Sequence, residues 1–100
     1  MTPFGERGAP YPFSLTRTAQ KALRSIPERD LERILKAIEA ACKSGLGDVL
    51  ALKSHEADYR LRVGEYRVIF DVQEMDDGAA TVVPTVVILT VLRRTGKTYR

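Results

Sequence analysis

The segment that most constrains the fold is residues 59–70, which read YRLRVGEYRVIF. Two alternating runs flank the connection Gly64-Glu65, and glycine at its first position permits the positive φ that a type II′ hairpin turn requires. The pattern therefore predicts a β-hairpin in which Val63 pairs with Tyr66 and all further pairs follow in step. Directly opposed residues share a face. One face is then apolar and must cover a core; it comprises Tyr59, Leu61, Val63, Tyr66, Val68 and Phe70.

The opposite face of this hairpin carries three arginines, Arg60, Arg62 and Arg67. Arg62 and Arg67 are predicted to lie directly opposite each other, where like charges destabilise a sheet by roughly 0.2–1 kcal/mol. One interpretation is a solvated face whose arginine stems lie over neighbouring side chains. The other is a fixed guanidinium cluster that binds phosphate, because the planar fork of arginine pairs with two phosphate oxygens at once.

The composition indicates one ordinary globular domain of 100 residues. No apolar run approaches the roughly 18 residues of a transmembrane helix, and no secretory signal pattern is present, so we expect no membrane partner. A single cysteine, Cys42, excludes an internal disulfide and favours a reducing cytoplasm. His55 is isolated in the sequence, and no phosphate-binding glycine loop occurs. We therefore expect neither a metal site nor a cofactor.

The net charge is only +3, but basic residues concentrate in the second half of the chain. Arg93, Arg94, Lys97 and Arg100 follow the last predicted strand, and such a concentration suggests a polyanion partner. An antiparallel strand that ends at Arg93 and Arg94 can bring them to the rim of the arginine face, and Tyr99 can reach back over it. Alternatively, Tyr99 closes the bottom of the sheet. Because arginine does not accept protons, such a site suits phosphoryl chemistry, in which negative charge must be stabilised.

The first part of the chain predicts a leader, a strand and two helices. Residues 1–10 contain two prolines and two glycines and are expected to be flexible, which leaves 11–100 as a single domain. A short strand is expected over 11–15, limited to an edge by Pro12. Thr16 suits the N-cap of a first helix, which Pro27 ends. A second helix is expected to end at Gly45; its apolar stripe is Leu31, Ile34, Leu35, Ile38, Ala41 and Cys42.

The remaining chain predicts an antiparallel sheet. We expect a connection over 46–58, the hairpin strands, the second of which continues to Val72, and a turn over 73–78. The β-branched run 80–92 predicts a central strand with a weakened or bulged position at Pro84. The fold class is therefore α+β, with a helical hairpin packed on a small antiparallel sheet in the order β-α-α-β-β-β.

The same hairpin resembles a known family. Segment 59–70 is similar to the core motif Y-[RK]-[IL]-[RK]-x-G-x-Y-R-[VIL]-[IVL]-[YF] of the RelE/ParE superfamily, the toxins of type II toxin–antitoxin modules. The preceding helical hairpin and the ending Val91-Leu92-Arg93-Arg94, followed by Tyr99, fit the same pattern, so the resemblance covers roughly residues 11–100. It implies a RelE-like toxin neutralised by a cognate antitoxin whose extended or helical segment wraps the sheet and the basic groove.

For the RelE branch the resemblance also implies an activity. It implies an endoribonuclease, or mRNA interferase, that inhibits translation by cleaving ribosome-bound mRNA in the A site. Attack of a 2′-hydroxyl on the neighbouring phosphate would leave a 2′,3′-cyclic phosphate. The catalytic residues carried over from the family are Arg60, Arg62, Arg67, Arg94 and Tyr99. The residues assigned to RNA binding are Arg93, Lys97, Arg100 and Lys53.

The sequence departs from the family pattern in two places. Arg60 and Arg62 stand where ribosome-dependent nucleases often have lysines, which leaves the identity of the base open. Leu92-Arg93 replaces a frequent glycine–histidine pair. Two alternatives are a ParE-type inhibitor of DNA gyrase without nuclease activity, and a catalytically silent member that only binds its antitoxin. The presence of both Arg94 and Tyr99 favours the nuclease.

Overall fold

The computed structural model describes residues 11–52, 57–76, 78 and 82–93. Over these ranges the chain forms two helices packed on a five-stranded sheet, so the predicted α+β class is confirmed. The predicted leader 1–10 lies outside the described residues. The elements are β1 (Phe13–Leu15), α1 (Arg17–Arg24), α2 (Glu28–Ser44), β2 (Asp48–Ala51), β3 (Tyr59–Val63), β4 (Tyr66–Asp76) and β5 (Val82–Arg93). Neither of these helices is long and apolar enough to cross a membrane.

The sheet is mixed, with the spatial order β1-β5-β4-β3-β2. Strands β2 to β5 form an antiparallel meander, whereas β1 pairs in parallel with β5, with Phe13 opposite Val86. The expectation of a purely antiparallel sheet is therefore wrong. The expectation that 46–58 is only a connection is also wrong, since this segment contains β2. That strand has four residues and no β-branched run, so local propensity gave little signal for it.

The hairpin has the predicted register at every pair. Val63 lies opposite Tyr66, Arg62 opposite Arg67, and Tyr59 opposite Phe70. Gly64 has a φ of 59°, as the turn requires. Strand β4 is longer than expected and continues to Asp76, so the predicted turn over 73–78 begins too early. Cross-strand pairing with β5 holds these polar residues in the ladder.

The irregularity in β5 lies at Leu89, and the bulge expected at Pro84 is wrong in position. Ile69 is opposite Thr90 and Phe70 is opposite Ile88, so Leu89 is an extra residue in β5. Pro84 stays in register with β4. The bulge coincides with the entry to α1, because the Thr16 backbone N–H donates to the Ile88 carbonyl (3.0 Å) and the Thr16 hydroxyl donates to the Leu89 carbonyl (2.8 Å).

The core lies between the two helices and the apolar hairpin face. Ile34, Ile38, Ala41 and Cys42 of α2 are buried, as are Leu61, Val63, Tyr66, Val68 and Phe70 of the hairpin. Burial raises the pKa of the Cys42 thiol to about 11, which is typical of a core cysteine rather than a nucleophile. Gly45 caps the C-terminus of α2 in the left-handed conformation (φ 70°), so the predicted end of this helix is confirmed.

The Thr16 hydroxyl stabilises two elements at once. It also accepts the Ala19 backbone N–H (3.1 Å) and so caps α1 while binding the bulge of β5. We expect Thr16→Ala to lower the free energy of unfolding by about 1–3 kcal/mol, since a helix cap and a further hydrogen bond are lost together. Thr16→Ser keeps the hydroxyl and is the matched control. Equal urea midpoints for the two variants would show that the hydroxyl does not stabilise the fold.

Candidate phosphate-binding site

The candidate site lies on the sheet face opposite the helices, here named the open face. Because directly opposed residues share a face, the registers of β2 to β5 define rows of side chains across it. One row consists of Asp48, Arg62, Arg67 and Leu92, and the next consists of Leu50, Arg60, Ile69 and Thr90. The three hairpin arginines thus lie in two adjacent rows.

Arg62 and Arg67 are exposed neighbours of like charge. They lie directly opposite each other on β3 and β4, which are about 5 Å apart in a sheet. Within the described ranges neither guanidinium makes an ion pair or a side-chain hydrogen bond. An anion bound between them would replace repulsion with charge-assisted hydrogen bonds, so the pair favours a phosphate or a carboxylate ligand.

Arg60 differs from the other two arginines because it has an acidic partner. Its Nη1 atom lies 3.6 Å from Oδ2 of Asp48 and donates to the Asp48 carbonyl at 3.5 Å. The Arg60 side chain is only 16% exposed. Asp48 therefore holds Arg60 against the sheet. The sequence did not indicate Asp48, since its place beside the arginines depends on β2, which was not predicted.

Two shallow depressions adjoin each other, the first on the open face and the second between that face and the start of α1. The first has a volume of about 460 Å³, and its lining residues include Arg60, Arg62, Arg67, Leu52 and Ile69. The second has a volume of about 560 Å³ and is mostly apolar; it is lined by Thr16, Thr18, Leu52, Ala57, Ile69, Leu89, Thr90 and Leu92. Leu52 and Ile69 line both. A ligand that combines negative charge with an apolar neighbouring group fits this arrangement.

The hairpin turn is held from behind by α2. The hydroxyl of Tyr66, a residue only 2% exposed, donates to Oδ2 of Asp30 at 2.9 Å. Burial, followed by the hydrogen bond and negative charge of Asp30, raises the pKa of Tyr66. Arg33 lies against the turn, since a Cβ on Gly64 would come within 2.5 Å of its Nη2 atom. These contacts fix the turn and so fix the distance between the arginines on either side of it.

Arg93 holds the same turn from β5. It lies directly opposite Tyr66 and therefore on the helix side of the sheet. Its guanidinium lies 5.7 Å from the Tyr66 ring centre and 3.3 Å from Oε1 of Glu65. The structure thus places Arg93 at the predicted end of the sheet but on the face opposite Arg62 and Arg67. Its assignment to RNA binding stays a prediction.

The structure brings together three of the predicted site residues. Arg60, Arg62 and Arg67 share the open face, as the alternating pattern predicted. The other predicted residues, Arg94, Tyr99, Lys97, Arg100 and Lys53, lie outside the described ranges, as does His55. The catalytic and binding roles of all these residues stay predictions.

No family model matches the sequence, and no curated protein matches it. Solved structures do match. A chain of the toxin–antitoxin complex RelBE2 from Mycobacterium tuberculosis is similar with a TM-score of 0.64 and 28% identity, over 86% of this chain and 100% of that chain. The chain is a RelE-family toxin.

Two archaeal structures agree with this assignment. The RelB–RelE complex from Methanococcus jannaschii matches this RelE-family chain with a TM-score of 0.57 and 25% identity, over 79% of this chain and 87% of that one. The RelE–RelB complex from Pyrococcus horikoshii OT3 matches with a TM-score of 0.59 and 26% identity, over 84% and 94%. The predicted resemblance is confirmed: the protein is a toxin of a toxin–antitoxin module.

Removing one arginine of the opposed pair should not destabilise this RelE-family toxin. For Arg62→Ala and Arg67→Ala we expect an unchanged free energy of unfolding or a rise of less than about 1 kcal/mol, because repulsion is relieved. Val68→Ala is the contrast: Val68 is 0% exposed on the core face, and its truncation should cost about 1–3 kcal/mol. Urea unfolding of the three variants measures this. Arginine variants as unstable as Val68→Ala would mean that the arginines are structural.

Proposed function

We propose that this toxin is an endoribonuclease that cleaves ribosome-bound mRNA and thereby inhibits translation in the cytoplasm. The observation that carries the proposal is the opposed pair Arg62 and Arg67, exposed on the open face without a counter-charge in the described part of the chain. Contacts from Tyr66 and Arg33 hold the turn between them, so the backbone positions of the two arginines are set before any ligand arrives. Two cations held on adjacent strands are suited to stabilising a developing phosphate charge.

In the proposed reaction a 2′-hydroxyl oxygen attacks the adjacent phosphorus atom. A new O–P bond forms, the bond to the 5′-oxygen breaks, and the products carry a 2′,3′-cyclic phosphate and a 5′-hydroxyl. Negative charge grows on the non-bridging oxygens, where bidentate donors from Arg62 and Arg67 stabilise it. Arg60, held by Asp48, adds a fixed positive charge in the next row.

The proton of the attacking hydroxyl needs an acceptor other than arginine. The family resemblance assigns Tyr99 to orient the base or the nucleophile and Arg94 to neutralise the phosphate. We include both residues in the proposed site on that resemblance alone. The similarity to RelE complexes favours this nuclease over the gyrase-inhibitor alternative.

We further propose that a cognate antitoxin neutralises the protein by covering the open face. The similar structures are complexes of RelE with RelB. The cationic depression around Arg62 and Arg67 adjoins the apolar one around Leu92 and Thr90. A protein segment that alternates acidic and apolar side chains would complement both, and it would exclude RNA from the arginines.

The cleavage assay tests the proposed activity directly. We expect the purified protein to cut an mRNA that is being translated in vitro, with cuts mapped to the ribosomal A site by primer extension. Arg62→Ala and Arg67→Ala should each lower the rate by roughly 10²–10³, as for the loss of one preorganised charge donor. Arg29→Ala, which removes an exposed arginine from α2, is the matched control and should cleave normally. Inhibited gyrase supercoiling without cleavage would support the gyrase-binding alternative.

Expression tests the toxin and its partner together. The free protein should arrest bacterial growth, since Arg62 and Arg67 are exposed on the open face, and co-expression of the cognate antitoxin should restore growth. The double variant Arg62→Ala/Arg67→Ala, produced at the same level, should not arrest growth. Unimpaired growth with soluble wild-type protein would count against both the nuclease and the gyrase hypotheses.

A further inference from the structure

Helix α1 presents a second cationic surface. Arg17, Lys21 and Arg24 are spaced i, i+4 and i+7, so they lie along one side of the helix, and all three are exposed. We name these three residues the α1 stripe. The other side of the helix is buried through Ala19 and Leu23. Among the described residues, none of the three cations has an ion pair or a side-chain hydrogen bond.

The neighbouring helix α2 has a different charge pattern. It contains as many acidic as basic residues, whereas α1 contains no acidic residue. Two of its cations, Lys36 and Lys43, follow Glu32 and Glu39 at the i, i+4 spacing that stabilises a helix. Helix α2 thus has the mixed surface of a solvated helix, and the α1 stripe does not.

Helix stability does not explain the α1 stripe. Lys21 and Arg24 lie in the last turn, where cations are favourable, but Arg17 is the first residue, at the positive end of the helix dipole. The first turn contains no acidic residue to offset it. Arg17 and Lys21 also repel each other at the i, i+4 spacing. The position of Arg17 and its repulsion with Lys21 therefore act against the helix, and a ligand that neutralises the stripe would offset both.

The α1 stripe adjoins the open face. Thr18, which precedes Lys21 by one helical turn, lines the same depression as Thr90 and Leu92 of β5. Leu92 in turn lies directly opposite Arg67. The cations of the open face and those of α1 therefore lie on two sides of the same apolar depression beside β5.

We propose that the α1 stripe binds the phosphate backbone of structured RNA, as a contact separate from the scissile phosphate. The stripe places three cations over about 10 Å, which suits the closely spaced charges of a nucleic acid backbone. A protein partner would also need apolar surface at the centre of its contact. The exposed neighbours of the stripe on α1 are Thr18 and Gln20, and no large apolar side chain of α1 is exposed. The inference rests on the proposed ribonuclease function because ribosomal RNA is the structured RNA that this enzyme would meet.

The test compares two full-length triple variants that remove the same charge. One is Arg17→Gln/Lys21→Gln/Arg24→Gln on α1, and the control is Arg29→Gln/Lys36→Gln/Lys43→Gln on α2. Glutamine has nearly the same helix propensity as lysine and arginine, and urea unfolding confirms that both variants fold. Binding to purified 70S ribosomes is measured over a range of salt concentrations, and cleavage of translated mRNA is measured beside it.

We expect the α1 variant to lose two or three phosphate contacts. The slope of log affinity against log salt should become shallower by about 1.4–2.7, and affinity at low salt should fall roughly 10–100-fold. Cleavage at saturating ribosome concentration should be unchanged. The α2 variant should keep the wild-type slope within about one contact.

Other outcomes would overturn the inference. Equal losses of ribosome affinity in the two variants would mean that only net charge matters. Wild-type affinity of the α1 variant would mean that the stripe does not contact the ribosome. Loss of antitoxin binding with unchanged ribosome binding would assign the stripe to a protein partner. If ribosome binding depends on the α1 stripe but no mRNA is cut, the proposed nuclease function is contradicted and the inference about the stripe is not. A wild-type protein that does not bind ribosomes would overturn both.

Discussion

The two-residue turn at Gly64-Glu65 is the constraint on which the rest of the structure depends. A turn this short leaves no freedom in the pairing of β3 with β4, so every later pair follows from Val63 and Tyr66. Because side chains alternate, a slip of one residue would exchange the core face and the arginine face completely. The hydrogen bond from Tyr66 to Asp30 and the approach of Arg33 to Gly64 link this turn to α2. The same turn therefore determines both the pairing of the strands and the positions of the arginines in the site.

The free energy gained by burial on one face of the hairpin outweighs the cost of charge repulsion on the other. Tyr66, Val68 and Phe70 are almost fully buried, and full burial of an apolar side chain contributes about 1.5–3 kcal/mol. The opposed arginines cost less than about 1 kcal/mol. The fold can therefore hold Arg62 and Arg67 side by side although the described part of the chain places no counter-charge on them. Arg60, by contrast, is paired with Asp48 and is the least exposed of the three.

Local signals made part of this structure predictable. The hairpin register, the Thr16 cap and the left-handed Gly45 all follow from residues within a few positions of one another. Features that depend on distant pairing were missed: β2, the parallel pairing of β1, and the extension of β4 to Asp76. The arginine cluster could be predicted because it lies within the hairpin. Asp48 could not, because nothing near it in the sequence indicates the strand that brings it to Arg60.

The extra residue in β5 has a consequence for comparing this toxin with its relatives. Up to Ile88 the even-numbered residues of β5 point to the helices, but after Leu89 the odd-numbered Val91 and Arg93 do so. Leu89 thus shifts by one residue the alternation of side chains between the two faces of the sheet. An alignment that follows alternation alone, without a gap at this position, would place Leu92 on the helix side of the sheet. It would also count Arg93 among the cations of the open face. Basic positions near the ends of such toxins are therefore best compared strand by strand, with the bulge as the reference point.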